Sequence, residues 1–447
     1  MKTLSILKTP PKKIREMGAQ SRIKVHDHIS PERRARFAIL GGHGNEHSVS
    51  SLFYPGPLGK FQGLFPYFSF IAVDPIVNRT GSQDRIIAQR RLFHGTGFGY
   101  DDSLLPETFY RLLERGQLEV DGVVLAIPVK YHLPETQRLL EIFDRLGIKK
   151  PIMVEKTLGL IGQEQRFREL NGSHPNQIYA ADFSNGTDSL NFSIHEGYLD
   201  KIGDITVICG RFVESQSIDD LVKAAKARNL LRLDTSGGGL GFDMGVHSLV
   251  TEERVLQKAG LTLKGADIND VLLGAIDHDE LEQHRDKRAE TYWRSHLVLD
   301  NGVNVYNDAG KVLDDHCYIV QIYGEKGQLV LSSGTQNQRP FVLFVPNSGE
   351  PELFNFPQGV GYESIFANFL LCALGDSNDC NPTLDMCMNA ASTSVETVGR
   401  SYDHAFANNY QNGDLTRIFP GELPPLSFEH TPPEPFYASS RILGQCV

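Results

Sequence analysis

Asp243 and His247 stand four residues apart in the stretch "TSGGGLGFDMGVHS", residues 235–248, just after three consecutive glycines. On a helix that spacing puts both side chains on one face. A histidine beside a carboxylate is an acid–base pair suited to neutral pH. Three other readings stay open at this point: a helix-surface ion pair, two of three metal ligands, or a phosphate loop. A P-loop needs Lys and then Ser/Thr after its last glycine, and neither follows here. A metal needs a third ligand, which the sequence does not place.

Three further groups carry chemistry. "AILGGHGNEH" reads as a strand followed by Gly42, Gly44 and His47, that is G-x-G-x-x-H. Glycines there let the backbone approach a pyrophosphate at a helix N-terminus, although the third glycine of the fingerprint is missing. "FSFIAV" ends in Asp74, an acid placed to accept hydrogen bonds from an adenosine ribose, which favours NAD over NADP. The interval of about thirty residues exceeds the usual ~20, and "FYPGPLGKFQG" (53–63) reads as an insertion. "VEKT" places Glu155 and Lys156 at a strand end, where the ammonium can hold a substrate hydroxyl, although the tripeptide alone reads as readily as a solvated surface lysine. His43, Glu46 and His47 also spell H-x-x-E-H, an inverted zinc-peptidase motif. It needs a helix, and Gly44 disfavours one. No metal site is therefore assigned.

These residues are positioned by alternating elements. "RFAIL", "FSFIAV", "DGVVLAI" and "KKPIMVEK" read as buried strands. "PETFYRLLERG" and "PETQRLLEIFDRLG" have helical spacing, the second with Leu139, Leu140, Phe143 and Leu146 on one face and Gly147 as its stop. Strands alternating with helices imply a parallel sheet. Ligands bind beyond the carboxyl ends of its strands, here 41–47, 74, 128–132 and 155–157. After about residue 165 apolar and polar residues alternate, with hairpin turns at "NG" (301–302) and "EKG" (325–327). That predicts an antiparallel sheet in a second domain. The run "DHDELEQHRDKRAE" (277–290) reads as solvated.

The chain has 447 residues and a net charge of −11, which argues against a general nucleic-acid role. No apolar run approaches the ~20 residues of a membrane span. "MKTLSILKTPPKK" is too short in apolar residues for a secretory signal, and "ERRARFAILGG" is only superficially like a twin-arginine signal; it reads as the first core strand. The six cysteines form no CxxC pair, so reduced thiols and a cytoplasmic location are expected.

Together the motifs resemble the Gfo/Idh/MocA-type oxidoreductases, the glucose–fructose oxidoreductase and inositol dehydrogenase group. The resemblance runs from about Arg36 to Asp403. It rests on "AILGGHG", "AVDP", "AIPVKYH", "VEKT", "GGGLGFDMGVH", "YGEKGQLVL" and "FANFLLCALGD", in that order. It implies an α/β fold with an N-terminal Rossmann domain and a C-terminal α+β domain on an open, mostly antiparallel sheet. The expected organisation is an extension at 1–35, the Rossmann domain at 36–160, a substrate and oligomerisation domain at 161–403 and a proline-rich arm at 404–447. The late helix, about 361–375, is expected to pack back on the first domain.

The resemblance implies hydride transfer between a nicotinamide and a hydroxyl-bearing carbon of a sugar or cyclitol. Its catalytic residues fall on Lys156, Asp243 and His247. His247 takes the hydroxyl proton, Asp243 orients substrate or imidazole, and Lys156 stabilises the alkoxide. The candidate cofactor contacts are Gly41, Gly42, His43, Gly44, Asn45, Glu46, Asp74, Ile127, Pro128, His132 and Glu155, with NAD expected and NADP the alternative. A small polyol or sugar substrate and a homodimer or homotetramer are expected, without nucleic-acid or membrane partners. The family pattern continues Glu-Lys-Pro, whereas this chain has Thr157. A cis bond is cheap before proline and costs about 3 kcal/mol otherwise, so a differently placed Lys156 is expected. A non-catalytic binding relative is the alternative reading, with a zinc hydrolase through His43, Glu46 and His47 behind it.

Overall fold

The computed structural model describes residues 13–17, 35–44, 49–64, 68–78, 86–87, 89, 93–311, 316–335, 338–357, 361–374 and 383–418. The first strand, β1 (Lys13–Glu16), belongs to the second of two sheets. The first sheet is wholly parallel. Its strands are β2 (Ala35–Leu40), β3 (Phe68–Val73), β4 (Asp102–Leu104), β5 (Gly122–Leu125), β6 (Ile152–Glu155) and β7 (Ile178–Ala181), in the order β4-β3-β2-β5-β6-β7. The continuous apolar runs fit a sheet buried on both faces; in β2, Phe37, Ala38, Ile39 and Leu40 are all buried. The sheet continues past the boundary near residue 160 that the sequence suggests, because β7 pairs with β6.

Helices α1 (Pro55–Leu64), α2 (Pro106–Glu114) and α3 (His132–Leu146) accompany these strands. The apolar stripe read in α3 is buried at Leu139, Leu140 and Phe143, and Gly147 closes the helix with φ +66°.

The second sheet has ten strands: β1 with β8 (Ile205–Glu214), β9 (Asp267–Ile276), β10 (Tyr292–Val298), β11 (Asn304–Lys311), β12 (Cys317–Gly324), β13 (Gly327–Ser332), β14 (Phe341–Pro346), β15 (Glu352–Asn355) and β16 (Thr416–Ile418). It is mostly antiparallel, with hairpins at the two expected turns. Three neighbouring pairs are parallel: β1 with β15, β11 with β8, and β16 with β9. The strands near the two chain ends thus form the sheet's two edges.

Helix α4 (Leu240–Lys258) packs against this sheet and is buried from Leu240 to Leu256 on nearly every face. Helix α5 (Gly361–Leu374) packs back on the first domain. Its Phe369 lies 5.8 Å from the Phe37 ring and stacks with Tyr179 at 6.4 Å. A Cβ on Gly122 would come within 2.8 Å of the Phe369 ring, so the first residue of β5 has to be small. Helix α6 (Leu384–Asn408) lies along α4 and reaches β7.

Cys209, Cys317 and Cys387 are buried thiols outside any disulfide, as expected. Cys372 is disulfide-bonded, which corrects the expectation of reduced thiols at that position. Disulfides persist in oxidising compartments, so cysteine usage no longer supports a cytoplasmic location. No helix among the described residues is long and apolar enough to cross a membrane.

Phe369→Ala would leave a cavity between α5 and the parallel sheet. The expected loss is about 3–5 kcal/mol, read as a lower urea midpoint. An unchanged midpoint would mean that this docking contributes nothing to stability.

Candidate active site

The carboxyl ends of the parallel strands open into a crevice of about 620 Å³ that reaches across to the second domain. From the first domain it is lined by Gly41, Gly44, Asp74, Ile127, Pro128, Glu155 and Lys156. From the second come Thr235, Ser236, Gly239, Phe242 and Asp243. Gly41 makes the turn at φ +80°, and a Cβ there would sit 2.2 Å from the Ala126 carbonyl oxygen. Only glycine lets the chain pass this close and still present backbone to the crevice. Asp74 is buried at the end of β3, where its Oδ1 accepts the Ile76 amide at 2.9 Å.

Lys156 follows β6, and its peptide bond to Thr157 is cis. Its Nζ donates to Asp243 Oδ1 at 2.6 Å and to the Asp243 carbonyl oxygen at 2.9 Å. Beneath it, Glu155 is fixed by Tyr54, whose hydroxyl donates to Oε1 at 2.6 Å. Tyr54 comes from the segment read as an insertion, just before α1. Burial pushes Glu155 up to about 7, against the hydrogen bonds from Tyr54 and the Lys156 amide.

Asp243 and His247 do share a face of α4, but the imidazole has a partner from another element. His247 Nδ1 lies 2.8 and 2.9 Å from the two oxygens of Asp182, which follows β7. A carboxylate accepts, so Nδ1 carries the proton and Nε2 the lone pair. Burial holds His247 below its ordinary value, against the pull of Asp182. Burial alone would raise Asp182, but His247, the Ser184 amide and Lys156 outweigh it, and its carboxyl stays below the usual range. His247 is 3 % exposed and sits one turn behind the crevice lining.

The three glycines do not form a phosphate loop. The amides of Gly239 and Phe242 donate to the Glu290 carboxylate at 3.1 and 2.7 Å, and Leu240 N donates to the Glu290 carbonyl at 2.8 Å. Tyr402 donates to the same carboxylate. The N-terminus of α4 is therefore capped by an internal acid. Glu290 ends the run read as solvated, yet it is fully buried, and burial pushes it up to about 7.

Several candidates lie outside the crevice lining. Gly42 packs against Ala72 of β3. His43 is buried in a turn, with Nδ1 at 2.6 Å from Gln89 Oε1 and Nε2 at 2.8 Å from Ser103 Oγ. Both ring nitrogens are engaged and no helix carries them, so the zinc geometry is not met at this residue. His132 is buried behind the lining, where Nδ1 lies 2.9 Å from the Thr157 carbonyl and Nε2 lies 2.8 Å from that of Ile127. Asn45, Glu46 and His47 fall outside the described residues.

Asp182, Glu290, Glu214 and Lys311 were missed by sequence reasoning. Asp182 had a readable signal: it follows the short apolar run "IYAA", as Asp74 follows "FIAV".

No family model and no curated protein sequence matches the chain. Solved structures do. Aldose–aldose oxidoreductase from Caulobacter crescentus, complexed with glycerol, is 15% identical over 84% of this chain and 99% of that one, with a TM-score of 0.59. An inositol dehydrogenase homologue from Azotobacter vinelandii, complexed with NAD+, is 14% identical over 84% and 98%, at 0.58. KijD10, a 3-ketoreductase from Actinomadura kijaniata in complex with NADP and TDP-benzene, is 16% identical over 87% and 99%, at 0.55. The chain has the Gfo/Idh/MocA-type oxidoreductase fold. In that fold the crevice lies between the Rossmann-type sheet and the second domain, where Lys156 meets Asp243.

The Glu290 cap predicts a pH dependence of stability. Its folded pKa of about 7 lies above the unfolded glutamate value near 4.5. The folded state thus binds the proton more tightly, and this contribution is full below ~4.5 and lost as pH rises through 7. The loss is about 3 kcal/mol. Glu290→Gln is expected to flatten that part of the denaturation midpoint-versus-pH curve; a curve of wild-type shape would contradict it.

Proposed function

We propose that the protein is a nicotinamide-dependent oxidoreductase that interconverts a secondary alcohol and a ketone on a sugar or cyclitol. The observation that carries this reading is the contact of Lys156 with Asp243 at 2.6 Å, in a crevice that also holds Gly41 and Asp74. The lining fits a dinucleotide. Gly41 allows close backbone approach, and Asp74 offers a carboxylate to ribose hydroxyls, which favours NAD over NADP. Gly41, Gly44, Asp74, Ile127 and Pro128 would hold it. When bound, the nicotinamide accepts or donates the hydride.

The chain's own residues do the rest. Lys156 Nζ donates to the substrate oxygen and stabilises negative charge as it develops there. Asp243 fixes the ammonium and orients it. His247 is kept neutral by burial, with Nδ1–H committed to Asp182, so Nε2 is the basic atom. In oxidation the hydroxyl proton passes through one bridging water to Nε2, which sits one turn behind the lining; in reduction it returns the same way to the carbonyl oxygen. Thr235 and Ser236 offer hydroxyls on the second-domain side of the crevice, which suits a polyhydroxylated substrate.

The test has two stages. Titration of the folded protein with NAD(H) and NADP(H) is expected to give saturable binding, tighter for NAD. A sugar and cyclitol screen read by nicotinamide absorbance then supplies the substrate. Lys156→Ala and His247→Ala are expected to retain cofactor binding and lose ~10²–10⁴-fold in kcat. Folded wild type that binds none of the four nucleotides would sink the reading and leave a non-catalytic binding protein in its place.

A further inference from the structure

Behind Asp243, on the side away from the crevice, lies a second lysine. Lys311 ends β11 and Glu214 ends β8; the strands are parallel and these residues are register partners, so both side chains rise from the same face. Lys311 Nζ lies 3.2 Å from Glu214 Oε2 and 3.3 Å from Asp243 Oδ2. The other Asp243 oxygen takes Lys156 at 2.6 Å. Tyr318 of β12 donates to Glu214 Oε1 at 2.5 Å. The side chains of Lys156, Asp243 and Lys311 are 13%, 14% and 8% exposed, so solvent screens their charges poorly. Charges alternate along the row: ammonium, carboxylate, ammonium, carboxylate.

We propose, resting on the oxidoreductase reading, that Lys311 clamped by Glu214 is a positioning residue that sets the charge of the Lys156–Asp243–His247 group. Lys311 does not line the crevice and acts through Asp243. With a cation on each oxygen, Asp243 cannot turn both lone-pair systems onto Lys156. The ammonium is held in place but keeps attraction for an oxygen developing charge in front of it. Without Lys311 the group carries an extra negative charge; without Glu214 it carries an extra positive one.

The charges that act on His247 come from several elements. Asp182 follows β7, Lys156 follows β6, and Asp243 lies on its own helix. Glu155, at the end of β6, acts on Lys156. On the sheet side Lys311, Tyr318 and Asp243 act on Glu214, and, as proposed, the effect of Lys311 and Glu214 reaches His247 through Asp243. Removing the Lys311 cation favours imidazolium and raises the His247 titration midpoint. Removing the Glu214 anion lowers it.

The experiment compares wild type, Lys311→Met, Glu214→Gln and the double variant. The His247 midpoint is read by imidazole NMR on histidine-labelled protein saturated with NAD, with the signal assigned by its loss in His247→Asn. Lys311→Met is expected to move the midpoint up, Glu214→Gln down, and the double variant back towards wild type. In the kinetics, Lys311→Met is expected to lower kcat on the order of 10²-fold with little change in KM, and Lys311→Arg to restore most of it. The acid limb of the pH profile should follow the NMR midpoints. Midpoints that stay put, or move the same way in both single variants of wild-type circular dichroism and melting temperature, would overturn the proposal. If Lys311→Met does not fold, Glu214→Gln and Lys311→Arg carry the test, with a lowered and an unchanged midpoint expected. Failure of the oxidoreductase reading looks different: wild type turns nothing over, while midpoints measured without NAD still judge Lys311.

Discussion

One short ion pair, Lys156 with Asp243, joins the two domains at the floor of the crevice. A buried salt bridge adds little net stability, because desolvation offsets the attraction. Its value here is geometric, and much of the surrounding structure fixes its two ends. On the lysine side, Tyr54 pins Glu155, and His132 ties the turn after β6 to the turn after β5. On the aspartate side, Glu290 caps α4 from 48 residues away in sequence. Gly241 lets the first turn of that helix lie against Trp293, where a Cβ would come within 2.6 Å. A shift of either end by about an ångström would stretch the contact past hydrogen-bond range.

Burial then sorts the protonation states. His247 and Asp182 are both nearly inaccessible, and each acts on the other in opposition to its own desolvation. The carboxylate stays charged and the imidazole stays neutral. That is the state a proton acceptor requires, and it is set by packing rather than by solvent. His132 is a contrasting case. Its two nitrogens face carbonyl oxygens, which favour the proton, yet burial outweighs them and lowers its pKa. A buried imidazole behind a lining of backbone is a tie between two turns, so it serves the crevice by shaping it.

What the sequence made legible follows from how local each cause is. Gly41, Asp74 and Lys156 follow short apolar runs, and a parallel sheet puts such residues at one edge. Asp243 and His247 were readable because helical spacing is local. The parallel sheet and the two hairpins were readable for the same reason, whereas the docking of α5 was expected from the family resemblance alone. Asp182 was overlooked because β7 is only four residues long and lies where the texture changes. Lys311 and Glu214 meet only through the register of β11 and β8, a parallel pair of distant segments. Glu290 was hidden inside a charged run, where sequence composition points to solvent. Gly42, His43 and His132 were near enough in sequence to be expected in the site, but Gly42 packs against Ala72 and the two imidazoles turn to neighbouring backbone and polar groups instead. The Lys156–Thr157 bond is cis without a proline to signal it.

Glu290 also decides how the helix dipole is used. The N-terminus of a helix attracts negative charge through its unpaired amides and its macrodipole. In α4 those amides go to the protein's own carboxyl, leaving Asp243 in the first turn as the acid that faces the crevice. A phosphate entering from the first domain meets an end that is already filled. The tight turn at Gly41 is then the part of the crevice suited to take a pyrophosphate. Lys156 from the first domain, with Asp243 and the hydroxyls of Thr235 and Ser236 from the second, lines the rest of the crevice. The triple glycine serves packing, because a Cβ on Gly239 would sit 1.9 Å from the Glu290 carbonyl oxygen. A motif that reads as an anion cradle is therefore a close-packed helix start, and Asp243, the acid that lines the crevice, lies one turn later.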